Sequence, residues 1–302
     1  MPASSHPDTL PSVTLPATAH APAVTLPAIG QGTWHMGEGL APRRDEVRAL
    51  QLGLERGLTL IDTAEMYAEG GAEEVVGEAL LGRRDEAFLV SKVYPWNAGC
   101  DSAIAACEAS LKRLGTDHLD LYLLHWPGSV PLEETLEAFE RLRQAGKIHR
   151  FGVSNFDVDE LAELHALPGG EACTVNQVLY HLGSRGIEHS LLPWQRAHGM
   201  PTMAYCPLAQ GGELRRELLT HPEVLEIASG LGITPTQLLL VWAIRPRGEG
   251  AHRDVIAIPK ATRFEHVTQN AAALTVPLTD EALARLDAAF PAPARKTPLD
   301  IV

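Results

Sequence analysis

The 302-residue chain contains only four cysteines, Cys100, Cys107, Cys173 and Cys206, and no CxxC. Four are too few for a disulfide scaffold, and a reducing, cytoplasmic setting fits best. No run of about 18 apolar residues occurs, so no membrane span is expected. Positive charge is in deficit: 25 Lys and Arg stand against 38 Asp and Glu, a formal −13 with histidine neutral. A surface of that sign repels nucleic acid and anionic lipid. No G-x-G-x-x-G follows an apolar run, so the usual dinucleotide fingerprint is missing. Neither H-x-H nor H-E-x-x-H occurs and the thirteen histidines are scattered, so the reading includes no metal. The opening MPASSHPDTLP lacks a basic stretch and is broken by proline, which argues against a secretory signal. Apolar material is ample, at 45% of residues, and this excludes disorder as the main state.

Short apolar runs alternate with longer amphipathic stretches. The runs begin near Ala28 (AIGQGTW), Leu58 (LTLIDTA), Ala87 (AFLVSKV), Leu119 (LDLYLLHW), Arg150 (RFGVSNF), Thr174 (TVNQV), Pro201 (PTMAYCPL) and Asp254 (DVIAIPK). They recur at roughly thirty residues, the length of a βα unit, except for a last interval of roughly fifty with room for two extra helices. In LEETLEAFERLRQAG, Leu132, Leu136, Phe139 and Leu142 recur at helical spacing, and Gly146 marks the stop. DSAIAACEASLKRLG opens on Asp101 as the expected N-cap and closes at Gly115. Eight strand-like runs, each followed by helix, predict an α/β fold: a closed (β/α)8 TIM barrel with extra helices before the last strand and near the C-terminus. VTLPA occurs twice, at residues 13–17 and 24–28, and reads as an N-terminal β-hairpin covering the bottom of the barrel. One domain spanning 1–302 is expected, with a flexible leader over 1–11 and a proline-rich C-terminal loop over 291–302.

In a barrel the chemistry gathers where strands end. The second strand ends at Asp62, with Glu65 and Tyr67 in the loop behind it; the third ends at Lys92 and the fourth at His125. A phenol with a pKa of about 10 is a poor acid near neutrality. A neighbouring ammonium is expected to lower that value, and a carboxylate beyond it to hold the ammonium. A neutral imidazole can orient a carbonyl oxygen while the phenol supplies a proton to it. Such a set protonates an alkoxide formed from an aldehyde or ketone, and needs a hydride donor that no side chain provides. Each residue alone has an ordinary explanation, as a turn aspartate, a core histidine or a loop tyrosine; their occurrence on consecutive strands favours the functional one. Trp34, Trp96 and Trp126, at or just beyond strand ends, suggest an aromatic-walled pocket for a small carbonyl. Cys206 reads as a packing thiol.

These stretches resemble the aldo-keto reductase family. GLTLIDTAEMYAEG, SKV, DLYLLHWPG, KIHRFGVSNF, NQV, AYCPLAQGG and AIPKATRFEHVTQN match its signatures in order over about residues 24–290. IDTAEMYAEGGAEEVVGEAL, NQVLYHLGSRGIEH and the tail PAPARKTPLDIV look most similar to its bacterial methylglyoxal-reductase-like branch. The resemblance implies Tyr67 as general acid, tuned by Lys92 and Asp62, with His125 orienting the carbonyl. It implies that Ser154, Asn155 and Gln177 hold the nicotinamide carboxamide, that Tyr205 stacks on the ring, and that Gly32, Thr33 and Trp34 approach the cofactor. Pro207 and Leu208 continue that surface. Lys260, with Ala261, Thr262, Arg263 and His266, would face the adenosine phosphate, and Asn270 the adenine. The family binds its dinucleotide extended across the barrel mouth without a Rossmann fingerprint, which agrees with the missing glycine motif.

Three positions depart from the family pattern. Cys206 stands where serine is usual, Ala261 where many members carry serine or threonine, and His266 where many NADPH-preferring members carry arginine. Histidine cannot reproduce the bidentate fork of arginine on a 2′-phosphate. Lys260 and Arg263 remain, so NADPH is favoured over NADH. The expected activity is NADPH-dependent reduction of small aldehydes or 2-oxoaldehydes such as methylglyoxal, by a monomer. The alternatives are a nucleotide-binding regulatory or sensor subunit with little turnover, and a cofactor-free barrel hydrolase or isomerase. The segment RPRGEGAHRD, residues 245–254, reads as an insertion with no assigned role.

Overall fold

The computed structural model describes residues 10–248 and 250–302, so the leader expected over 1–11 lies outside the described residues for 1–9. The repeated VTLPA forms β1 (Ser12–Leu15) and β2 (Val24–Pro27), antiparallel, with Val13 opposite Leu26 and Leu15 opposite Val24. Val13, Leu15 and Leu26 are buried, while Thr14 and Thr25 share a 2.8 Å hydroxyl hydrogen bond on the outer face. That is the alternation expected of a strand with one face against a core. The hairpin sits at the N-terminal end of the barrel strands, where the Arg150 guanidinium donates to the Pro22 carbonyl.

All eight apolar runs become parallel barrel strands: β3 (Gln31–Gly32), β4 (Leu60–Asp62), β5 (Phe88–Val93), β6 (Leu119–Leu124), β7 (Ile148–Ser154), β8 (Asn176–Leu179), β9 (Thr202–Tyr205) and β10 (Val255–Ala257). They pair in chain order, and parallel bridges from Ile29 to Ala257 and from Gly32 to Lys260 close the ring. At this seam the backbones approach so closely that a Cβ on Gly32 would lie 2.7 Å from the Ile258 carbonyl oxygen. The strands are buried on both faces, which is why they read as continuous apolar runs rather than alternating ones.

The helices follow the strands: α1 (Arg43–Glu55), α2 (Gly71–Ala79), α3 (Cys100–Leu114), α4 (Leu132–Gln144), α5 (Val158–Ala166) and α6 (Leu191–Ala197) after β3 to β8. The long interval before β10 holds α7 (Gly212–Thr220), α8 (Pro222–Gly230) and α9 (Pro235–Ala243); α10 (Phe264–Ala272) and α11 (Asp280–Ala289) follow the last strand. Leu136, Phe139 and Leu142 of α4 are buried, with Phe139 against Tyr122 of β6 at 5.6 Å. The end of α3 falls at Gly115, whose φ of 65° suits glycine. Its start corrects the expected cap. Gly99 is the N-cap, and Asp101 lies within the first turn, its carboxylate turned outward to Arg141 at 3.2 Å. Asp101 therefore complements the helix dipole rather than capping a backbone N–H.

The 245–254 segment has a structural role. Arg245 lies over the Trp242 ring at 3.8 Å and pairs with Glu188 at 2.8 Å, and Asp254 pairs with Arg196 at 2.6 Å. Residues 291–302 form neither helix nor strand; the tail is tied down by Lys296 to Asp157 at 3.2 Å and by Ser184 to Asp300. Among the described residues no single helix is long and apolar enough to cross a membrane.

Candidate active site

The C-terminal ends of β4, β5 and β6 deliver their polar residues to one rim. Asp62 ends β4, Lys92 points inward from β5, and His125 follows β6, its N–H extending the ladder to the Val93 carbonyl at 3.0 Å. Tyr67 is supplied by the loop after β4, which turns sharply through Ala68 and Glu69 at φ of 52° and 53°. Glu65 fixes that loop to the next one by accepting from the Tyr94 N–H at 2.7 Å and the Asn97 amide at 3.2 Å. The φ > 0 residues Ala68 and Glu69 beside Tyr67 are a local strain of the kind found at functional sites.

Lys92 Nζ is the hub. It donates to Asp62 Oδ2 at 2.8 Å, to the Thr63 carbonyl at 2.9 Å and to the Tyr67 hydroxyl at 3.1 Å, and none of the lysine is exposed. Asp62 is 2% exposed, and its other oxygen, Oδ1, accepts from the Gln177 amide at 2.7 Å. A buried ion pair persists only when its remaining hydrogen-bonding capacity is filled, and here each oxygen and each ammonium proton has a partner. His125 stands edge-on to Tyr67 with ring centroids 5.8 Å apart.

Burial, and then the Asp62 carboxylate, push the Tyr67 phenol well above its ordinary value. This corrects the expectation that Lys92 lowers it: burial and the Asp62 charge outweigh the neighbouring ammonium. Burial also lowers Lys92, with Asp62 opposing the shift. His125 is pushed down to about 2 by burial and by the nearby Lys92. The imidazole is therefore neutral across the physiological range, and its Nδ1 is buried with no protein partner. Its proton count gives a sign: the unfolded chain takes up a proton near pH 6.5 and the folded one does not. This group's contribution to stability is accordingly lost as pH falls through that window. By NMR the His125 ring signals are expected not to titrate between pH 8 and about 4; a midpoint above about 5 would contradict the burial described.

Above these residues lies a cavity of about 930 Å³. Gly32, Thr33, Trp34, Asp62, Tyr67, His125, Trp126, Ser154, Asn155, Gln177, Tyr205, Pro207, Leu208 and Lys260 all line it. Lys92 lies beneath, reaching the cavity only through Tyr67 and Asp62. Asn155, at φ 61°, accepts from the Tyr205 hydroxyl at 2.8 Å and donates to the His125 carbonyl at 3.2 Å; Ser154 donates to the Gln177 carbonyl at 2.8 Å. Four strand ends, those of β6 to β9, are thus knitted together around one amide-rich wall.

Some expected residues stand elsewhere. Trp96 is 63% exposed and lies outside the lining, stacked on Tyr94 at 4.2 Å and edge-on to Trp126 at 5.7 Å. It backs the aromatic wall rather than facing the cavity. Ala261 and Asn270 border a separate small cleft beside Gly30 and Leu58, and Arg263 and His266 are exposed at the start of α10. Thr262 lies between, partly exposed. Other lining residues were not anticipated: Gln210 from the connection to α7, Arg215 of α7, Glu160 of α5, and Leu299, Ile301 and Val302 from the tail. The tail could not be placed from sequence because its position rests on two side-chain ties distant in the chain.

The donor set fits a dinucleotide. Amides and hydroxyls line one end, and Lys260 and Arg215 face the cavity without an ion-pair partner among the described residues. Two unneutralised cations on a chain of net charge −13 suit a polyanionic ligand.

The Aldo/keto reductase family model matches residues 28–290. The chain is 61% identical over 279 residues to the methylglyoxal reductase YeaE of Escherichia coli, covering 92% of this chain and 96% of that one. It is 33% identical over 269 residues to a glyoxal reductase of Bacillus subtilis, covering 88% and 89%. A solved aldo/keto reductase from Klebsiella pneumoniae in complex with NADP and acetate superposes with a TM-score of 0.89 at 57% identity, covering 92% of this chain and 96% of that one. A second structure from that organism, in complex with NADPH, gives 0.88 at the same identity and coverage.

Proposed function

The chain belongs to the aldo/keto reductase family, and on that premise we propose that it reduces small aldehydes and 2-oxoaldehydes of the methylglyoxal type to alcohols with NADPH. The observation that carries the reading is the Lys92 hub, which joins Asp62 and the Tyr67 hydroxyl directly beneath a cavity large enough for a dinucleotide and a small carbonyl. NADPH, when bound, supplies the hydride.

The substrate oxygen rests between the Tyr67 hydroxyl and the neutral His125 ring, which orients it without competing as an acid. As that oxygen gains negative charge, the Tyr67 proton moves to it. A phenol with a raised pKa remains a competent donor because the alcohol that forms is an ordinary aliphatic one, a weaker acid than a phenol. The phenolate left on Tyr67 meets the Lys92 ammonium, which stabilises it until solvent restores the proton. Ser154, Asn155 and Gln177 would hold the carboxamide, and Tyr205 would pack against the nicotinamide ring. Gln177 has a double part, because it also fixes Asp62. Trp34 and Trp126 form the apolar wall against a small substrate. Lys260 faces the 2′-phosphate; Arg263 and His266 stand nearby on the exposed start of α10. We further propose a monomer working in the cytoplasm, a reading that four unpaired cysteines support.

Steady-state assays over a panel of aldehydes test the substrate class. Methylglyoxal and glyoxal are expected to give the highest kcat/KM, and a preference for bulky aromatic ketones would contradict the small pocket. A second result concerns the cofactor. Lys260→Ala is expected to weaken NADPH by roughly tenfold or more and NADH by about twofold or less, since one charge-assisted contact is worth about 1.5–3 kcal/mol. Fluorescence titration with both nucleotides measures it, and equal weakening would contradict the phosphate assignment.

A further inference from the structure

Away from the cavity, the fold assembles, among the described residues, one set of metal-ligating side chains that the scattered histidines of the sequence conceal. The ligand atoms of His118, Asp120 and His149 all lie within 4.8 Å of one another. Strand geometry explains the assembly. His118 and Asp120, two residues apart at the start of β6, point to the same side. Pairing of Leu119 with Ile148 and of Leu121 with Arg150 sets His149 of β7 beside Asp120. This is the outer side of the barrel, because the alternating row containing Leu123 shares the inward side with its partner Lys92. The position is at the N-terminal ends of the strands, the opposite end from the cavity rim.

The surroundings prepare each ligand. Asp120 Oδ2 accepts from the Leu89 N–H and the Arg84 guanidinium, both at 2.8 Å, which leaves Oδ1 turned to His149 Nδ1 at 3.7 Å. His118 Nδ1 lies 2.8 Å from the Asp117 carboxylate, and an imidazole donating there keeps its Nε2 lone pair for a metal. The two rings stack with centroids 4.6 Å apart.

We propose that His118, Asp120 and His149 form a Zn²⁺ site at the base of the barrel. Two imidazole nitrogens and one carboxylate oxygen are a borderline set that suits zinc better than calcium or magnesium. At metal–ligand distances of about 2.0–2.1 Å, tetrahedral ligand atoms sit about 3.4 Å apart, so the set closes by up to about 1.4 Å on binding. Side chains that are 25%, 18% and 39% exposed for His118, Asp120 and His149 can make that rotation. The fourth position is left to water, and the Arg84 cation beside Asp120 moderates the affinity. The bound ion would clamp the starts of β6 and β7.

The test is titration of the tag-free chain with ZnCl₂ against a chromogenic chelator. One equivalent is expected to bind and to raise the melting temperature. His118→Ala and His149→Ala are each expected to weaken binding at least about tenfold, with metal-free carbonyl reduction unchanged. Equal affinity in the unaltered chain and both variants would overturn the site. A readout needing no variant is the visible spectrum with Co²⁺ in place of Zn²⁺: intense tetrahedral bands support the proposal, and weak octahedral bands or none reject it.

Discussion

Tyr67→Phe is expected to lower kcat by roughly two to four orders of magnitude, the usual worth of a positioned general acid, while leaving NADPH affinity within about twofold of the unaltered chain. The substitution removes one oxygen and one proton. It leaves the ring that packs beside His125 and the amide wall formed by Ser154, Asn155 and Gln177. Lys92 keeps its bonds to Asp62 Oδ2 and the Thr63 carbonyl, so the buried pair survives. Stopped-flow mixing with NADPH and methylglyoxal separates binding from reduction. Near-normal turnover would remove Tyr67 from the role of proton donor.

Lys92→Met is expected to cost about 3–5 kcal/mol of stability as well as most of the turnover, because it leaves a buried carboxylate without its counter-charge. Asp62 would retain only the Gln177 amide and become a strongly unfavourable anion. Urea denaturation measures the loss. Adding Asp62→Asn to the same chain removes the stranded charge and is expected to recover much of the stability but none of the activity. That split separates the structural worth of the pair from its part in holding the phenolate. A loss below about 1 kcal/mol in the single variant would mean that water reaches the pair.

The legible part of this molecule was the part written by local rules. Strands buried on both faces read as apolar runs, and the spacing of Asp62, Lys92 and His125 at three successive strand ends puts them on one rim. Details that rest on competition between neighbours were harder to read. Asp101 looked like a cap because aspartate favours that position, but Gly99 lies there and Arg141 draws the carboxylate outward. The Tyr67 phenol was expected to be acidified by Lys92, a sign reversed once burial and the Asp62 charge are counted. Trp96, like Trp126, falls just beyond a strand end, yet stacking on Tyr94 turns it outward.

Contacts made between distant segments left no sequence signal. The bond from Gln177 to Asp62, the tail residues Leu299 and Ile301 on the cavity wall, and the pairing of His118 with His149 all depend on register between separate elements. The 245–254 segment reads as an insertion with no assigned role because its partners Glu188 and Arg196 lie far away in the chain. In the fold, Arg245 is buried against Trp242 and Glu188.

The most direct measurement follows a labelled hydride. The pure chain is mixed with methylglyoxal and NADPH carrying deuterium at the transferring position, and the product is read by mass spectrometry. The account predicts one deuterium on the former carbonyl carbon, in step with loss of reduced nicotinamide, and near-complete suppression of both by Tyr67→Phe. NADPH that binds but stays reduced, with no label in any aldehyde tested, would contradict the account and point instead to a nucleotide-binding protein without turnover.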